Sequence, residues 1–162
     1  MLKVPYFKQD NGYSCGPTSL QMVFAFYGER ISEDKLTKLL HTKKDSGTSH
    51  EPLIKIANEE GFYVYVNNES SLQEITEILG KNIPVIVHFI EPSSDEGHYA
   101  VIIDITKDKI ILNDPWNGEG FKMNTGDFIK RWYGHSKDGL NKQWIIAISK
   151  EKFSLGKQYL PK

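Results

Sequence analysis

The chain of 162 residues has one cysteine, Cys15, and that scarcity excludes a good deal. No intrachain disulfide can form, and thiolate-bound zinc fingers and iron–sulfur centres are ruled out. Such a chain suits a reducing compartment. Charge of one sign is equally scarce, since 20 Lys and Arg face 21 Asp and Glu for a formal net charge of −1. Nothing in that balance invites nucleic acid or an anionic membrane. Long apolar runs are missing as well: none approaches the ~20 residues of a membrane-spanning helix, and positions 1–5 lack the apolar core of a signal peptide. Internal repeats, low-complexity tracts and linkers are absent too. The expectation is a single domain over 1–162, monomeric, with no integral membrane segment. It would be cytoplasmic as given, and secreted or transporter-associated if a leader or further domains have been removed.

The hydrophobic periodicity divides the chain in two. Leu20, Met22, Val23, Phe24, Phe26 and Tyr27 repeat at helical spacing and stop at Gly28. Ser32-Glu33-Asp34 caps a second helix carrying Leu36, Leu39 and Leu40. Thr48-Ser49-His50-Glu51 has capping-box spacing ahead of a third helix stopped by Gly61, and Ser71-Leu72-Gln73-Glu74 opens a fourth stopped by Gly80. Between these last two, 62–66 is aromatic and β-branched enough for a strand. From Ile83 onward the pattern changes to short apolar strands at 83–90, 99–105, 110–113 and 144–148, with one more helix expected over 125–132. Positions 4–8 read as a short strand or an extended arm, restricted to an edge by Pro5. Helices followed by strands argue for an α+β fold with two unequal lobes.

Cys15 stands where a loop turns into the first helix. A lone cysteine is ordinarily a small buried hydrophobe. Here its neighbours argue otherwise. Pro17 fits the first helical turn, so Cys15 lies at a helix N-terminus, where unpaired N–H groups and the macrodipole favour thiolate over thiol. Six residues upstream, Gln9 can bring a side-chain amide back beside the Cys15 backbone N–H, giving two donors to a developing oxyanion.

A thiol nucleophile needs a base, and position separates the five histidines. His98 starts an apolar strand beside a flexible loop over 91–97, a placement that suits a base facing a cleft. Asp114 ends the next strand in Asn113-Asp114-Pro115-Trp116 and can orient the imidazole, with Trp116 covering the contact from water. Pairing 98 directly with 114 would centre on Thr106, whereas the turn lies at Lys107-Asp108, so a bulge or a diagonal contact should absorb the offset. His88 reads as a satisfied residue within a strand, His41 and His135 as exposed, and His50 as a capping-region residue near a cleft wall. No histidine has metal-ligand spacing with Asp or Glu. Loops at 42–48, 91–97 and 132–140 are the candidate cleft walls.

With these residues assembled, the chain resembles the papain-like cysteine peptidases, and within them the bacterial group related to the peptidases that remove double-glycine leaders from bacteriocin precursors. The resemblance rests on Val4-Pro5-Tyr6 through Gln9, Ser14-Cys15-Gly16-Pro17-Thr18-Ser19-Leu20, Tyr27-Gly28, Gly97-His98-Tyr99-Ala100-Val101-Ile102 and Asn113-Asp114-Pro115-Trp116. It implies a papain-like fold, with an N-terminal helical lobe carrying the cysteine and a C-terminal antiparallel sheet lobe carrying the histidine and aspartate. It also implies a thiol protease, a hydrolase acting on a peptide or protein substrate through a thioester. Cys15 would be nucleophile, His98 general base and later acid, Asp114 the orienting residue and Gln9 an oxyanion donor, with no cofactor or metal. The alternatives are a transpeptidase or acyltransferase using the same thioester, and a non-catalytic peptide-binding domain of the same fold. Most leader-removing relatives would have a transporter attached, and for the sequence as given none is expected.

Overall fold

Strands that are apolar at consecutive positions can be buried only if both faces of their sheet are covered, and that requirement organises the molecule. The computed structural model describes residues 1–136, 139–153, 155, 158, 159 and 161. Its elements run α1 (Cys15–Phe26), α2 (Glu33–Leu39), α3 (His50–Glu59), β1 (Tyr63–Asn67), α4 (Leu72–Gly80), β2 (Val85–Ile90), β3 (Gly97–Ile105), β4 (Lys109–Asp114) and β5 (Gly118–Asn124). Then follow α5 (Thr125–Arg131), β6 (Tyr133–Ser136), β7 (Gly139–Lys142), β8 (Ile145–Ser149) and β9 (Gln158–Tyr159).

Seven strands form one sheet in the order β5-β4-β3-β2-β8-β1-β9, antiparallel at every pairing, and β6 pairs with β7 as a separate hairpin. Alternate residues feed two cores. Val101, Ile103, Ile146 and Ile148 face α1, α2 and α3 through Leu20, Phe24, Leu36 and Leu53. Ala100, Ile102, Ile145 and Ala147 face the other way, onto Ile75 and Ile78 of α4, Phe128 of α5 and Trp132 just after it. The fold is thus α+β and papain-like, with the cysteine on the helical layer and the histidine and aspartate on the antiparallel sheet. Among the described residues no helix is long and apolar enough to cross a membrane.

The strand expected over 62–66 forms as β1, inserted between β8 and β9, and α4 lies on the face away from α1. Helix ends mostly follow the sequence: Ser32 and Ser71 accept from the backbone N–H of Lys35 and Glu74, and Gly28 takes a left-handed φ of 85°. Two expectations fail. Gly80 is the last residue of α4 rather than its stop, and Asn82, one of the few side chains tolerant of that region, adopts φ 62° instead. The capping box at Thr48 does not form, since Ser49 occupies the cap without a side-chain bond and Thr48 is engaged elsewhere. Its hydroxyl lies 2.8 Å from Thr42 Oγ1, and its carbonyl accepts from the Tyr99 hydroxyl at 2.8 Å.

Thr48 also packs against the start of α1. A Cβ added at Gly16 would lie 2.6 Å from Thr48 Oγ1 and 2.8 Å from its Cβ, closer than atoms tolerate. Gly16→Ala should therefore destabilise the fold by about 1–3 kcal/mol through overpacking. Chemical denaturation should show that cost shrinking when the same substitution is made in a Thr48→Gly background, which removes the contacted atoms. Equal costs in both backgrounds would mean that this close approach does not limit residue 16.

Candidate active site

The N-terminal arm is extended, forms no strand, and is laid along the ends of β3 and β4 by four hydrogen bonds. Leu2 N–H donates to Ile103 O at 3.1 Å, Asn113 Nδ2 to Val4 O at 2.9 Å, the Tyr6 hydroxyl to Asp114 O at 2.8 Å, and Gln9 N–H to Pro115 O at 3.0 Å. Gln9 is buried there, its Nε2 donating to Asn11 O at 2.6 Å. Asn11 Oδ1 in turn accepts from Tyr13 N–H, and Glu33 at the start of α2 accepts from Asp10 N–H at 3.2 Å, so the loop before Cys15 is fastened at several points.

Cys15 then opens α1 against the sheet. Its Sγ accepts from the Tyr99 backbone N–H at 3.5 Å, beside His98, whose charge state it influences. His98 Nε2 meets Asp114 Oδ1 at 2.7 Å, with the imidazole 5% exposed and the carboxylate 0%. Since Nε2 is taken by Asp114, the ring nitrogen left for Cys15 is Nδ1. The same Asp114 oxygen accepts from the backbone N–H of Trp116 and Asn117, at 2.9 and 3.0 Å.

The offset between His98 and Asp114 is absorbed by both of the devices anticipated. The β3–β4 register shifts between Ile102 and Asp104, a bulge. Beyond it Val101 pairs with Asn113, which sets Asp114 opposite Ala100 and makes the contact to His98 a diagonal one. Trp116, however, is not the cover: it is 50% exposed, carried outward by the turn whose backbone binds Asp114. The aromatic group packed on His98 is its partner across the β2–β3 pairing, Phe89, with ring centres 5.5 Å apart and edge to face. Nor is the 91–97 loop free. Glu91 Oε2 accepts from Ser93 N–H, Ser93 Oγ and Ser94 N–H at 2.9, 2.6 and 2.7 Å.

A cleft of about 560 Å³ opens beside Cys15, lined by Gly12 and Tyr13, by residues 44–49, by Glu96 and Gly97, and by His50, His88 and His135. All three expected wall segments contribute, though residues 137 and 138 of the third lie outside the described residues. His50 and His88, not singled out for chemistry, are joined through Nε2 and Nδ1 at 2.9 Å; His50 stacks on Trp144 at 3.7 Å and His88 on Tyr99 at 4.5 Å. His41 is exposed and lies apart from this group. Among the described residues no three His, Cys, Asp or Glu side chains gather as metal ligands.

The histidines are tuned oppositely. Burial lowers His50 to about 4; burial, reinforced by His50, His98 and His135, lowers His88 to about 3. For His98 burial also opposes the charge, but the Cys15 charge and the Asp114 and Cys15 hydrogen bonds outweigh it and push the imidazole up to about 10. Asp114 is held below the usual carboxylate range: burial opposes its charge, and the His98 and Asn117 contacts overcome that.

Comparisons with known proteins bear on the family and the fold of the chain as a whole. The model of the Peptidase C39 like family matches residues 1–140. The chain belongs to that family. It is 30% identical over 136 residues, 83% of its length, to a mesentericin transport/processing ATP-binding protein, MesD, of Leuconostoc mesenteroides, of which it spans only 18%. Its fold is that of the peptidase domain of Streptococcus ComA, a bifunctional ABC transporter, at TM-score 0.73 and 23% identity over 92% of this chain and 100% of that one. It is likewise similar to a double glycine motif protease from an AMS/PCAT transporter, solved with its leader peptide, at TM-score 0.67 and 20% identity over 91% and 92%.

A proton held more tightly in the fold than in the unfolded chain stabilises the fold fully below the unfolded histidine value of about 6.5 and progressively less as the pH rises. For His98 that loss extends to about pH 10. Urea unfolding midpoints measured between pH 6 and 10 should fall more steeply in the wild type than in His98→Gln. Parallel profiles would show that no such proton is held.

Proposed function

We propose that this chain is a cysteine peptidase that cleaves a peptide bond through a thioester on Cys15. The observation that carries the reading is the buried His98 Nε2–Asp114 Oδ1 contact of 2.7 Å on a ring whose other nitrogen is left for Cys15. A thiolate paired with an imidazolium is the reactive form of such a nucleophile. Sγ attacks the carbonyl carbon, the tetrahedral oxyanion is met by Cys15 N–H and by Gln9, and the His98 proton passes to the departing amine as the C–N bond breaks. Water, deprotonated by His98, then opens the thioester and frees Cys15. Asp114 holds the imidazole in one orientation and stabilises its charge throughout. Gln9 Nε2 spends one hydrogen on Asn11 O and retains a second for the oxyanion.

The relatives support one substrate class. One fold neighbour is a double glycine motif protease bound to a leader peptide, and the MesD relative is a transport/processing protein. A peptide bearing a leader that ends in two glycines is therefore the substrate to offer, the product being the carboxylic acid of the leader. The cleft of about 560 Å³ beside Cys15, walled by 44–49 and 96–97, is where such a chain would lie.

Cleavage of such a peptide should be followed by mass spectrometry. Cys15→Ala should lower kcat/KM at least about a thousandfold with the fold retained, and Gln9→Ala should lower kcat about a hundredfold, the usual cost of one oxyanion donor. Substantial hydrolysis by Cys15→Ala would sink the assignment.

A further inference from the structure

Beyond the residues that touch the thiol or the imidazole, a second buried carboxylate lies close to the first. Glu91 is 3% exposed, and its Oε2 is committed to the Ser93–Ser94 turn described above. Its other oxygen, Oε1, accepts from Asn117 Nδ2 at 3.1 Å, and the same Nδ2 donates to Asp114 Oδ2, also at 3.1 Å. A side-chain amide nitrogen has two hydrogens, so each is used on one carboxylate. The amide orientation is fixed by chemistry, because its oxygen turned toward two carboxylates would find no donor.

The consequence for Asp114 is specific. Its Oδ1 is bonded by His98 Nε2 and two backbone N–H groups, whereas the donor to Oδ2 among the described residues is Asn117 Nδ2. The rotation of the carboxylate about its Cβ–Cγ bond is thus set from both ends. Glu91 in turn begins the loop that leads through Gly97 to His98, closed by Glu91 N–H to Glu96 O and Asp95 N–H to Glu91 O, both 2.8 Å. One amide therefore clips the turn that carries the acid to the loop that delivers the base.

We propose that Asn117, itself held by Glu91, is a positioning residue of this site: it fixes which Asp114 oxygen meets His98 and holds the two chain segments at that spacing. The inference rests on reading Cys15, His98 and Asp114 as the reacting group. Two like-charged, buried carboxylates near one another are costly unless each is satisfied, and the shared amide satisfies both. Removing it leaves Asp114 Oδ2 buried without a partner and frees the carboxylate to turn from the imidazole, so the imidazolium is held less firmly.

The test uses alkylation of Cys15 by iodoacetate as a function of pH on the full chain. This anionic reagent reacts more slowly once the imidazolium beside the thiolate loses its proton, so the alkaline limb reports His98. Asn117→Ala, in an accessible turn, should move that limb down by roughly one pH unit, which is a tenfold change in the proton equilibrium. It should also lower kcat on a leader peptide about tenfold with little change in KM. Glu91→Gln should shift the limb in the same direction, and the double variant should be no worse than Asn117→Ala, since Glu91 acts through Asn117. A limb and kcat unchanged in Asn117→Ala, with the wild type showing the limb, would overturn the positioning role alone. Additive effects in the double variant would overturn the dependence of Asn117 on Glu91. If the wild type shows no limb that His98→Gln abolishes, the peptidase reading itself fails, and the positioning role with it.

Discussion

Everything in the site is referred to the end of β4, where three consecutive residues hold three different parts. Asn113 is on the α1 side of the sheet and ties down the N-terminal arm through Val4 O, its own Oδ1 accepting from Gly120 N–H of β5. Asp114, on the opposite side, holds His98. Pro115, without an N–H to continue the ladder, offers its carbonyl to Gln9. The arm that delivers Gln9 and the strand that delivers His98 are thereby measured from one stretch of backbone. Such economy makes the geometry stiff, because none of the three can move without dragging the other two.

The electrostatics then follow from what each imidazole touches. His98 is pushed up because the Cys15 charge and the Asp114 carboxylate flank it, although it is buried like its neighbours. His50 and His88 have only each other, and burial leaves both neutral near pH 7. Their rings are wedged: His88 lies so close to Gly134 and Gly97 that an added Cβ would meet it at 2.6 and 3.1 Å. The cleft beside Cys15 is thus lined on one side by two polar but uncharged rings.

Much of this was legible in the sequence because it depends on local rules. Cys15 at a helix start, Ser32 and Ser71 as caps, and β2 and β8 as continuous apolar runs all follow from short-range chemistry. Long-range partnerships were not. β5 has three polar residues and two glycines among its seven and was missed, because edge pairing with β4 rather than propensity makes it a strand. The β6–β7 hairpin was read as loop for the same reason. Glu91, Asn113 and Asn117 carry no periodic signal, and Trp116, expected over the His98–Asp114 contact from its place just after Asp114, is sent outward by the turn. Burial of a polar side chain among other polar side chains is a property of the assembled fold, invisible to any window of sequence.

The bulge in β3 shows how much a single residue decides. Near the turn, Ile105 pairs with Ile110 and Asp104 with Ile111, a register that if continued would set Asp114 opposite Val101. Val101 faces the α1 layer, so Asp114 would point into that apolar core and away from His98. A shift of one residue reverses every side chain beyond it. The extra residue at the bulge supplies that shift, bringing Asp114 opposite Ala100 on the face of His98 and turning Asn113 toward the arm. An apolar side chain could not exchange places with Asp114 without orphaning the donors gathered there, and Asp114 could not occupy the other face without burying an unpaired charge. The bulge and the two residues beyond it are therefore one device, which sorts the arm to one side of the sheet and the partner of His98 to the other.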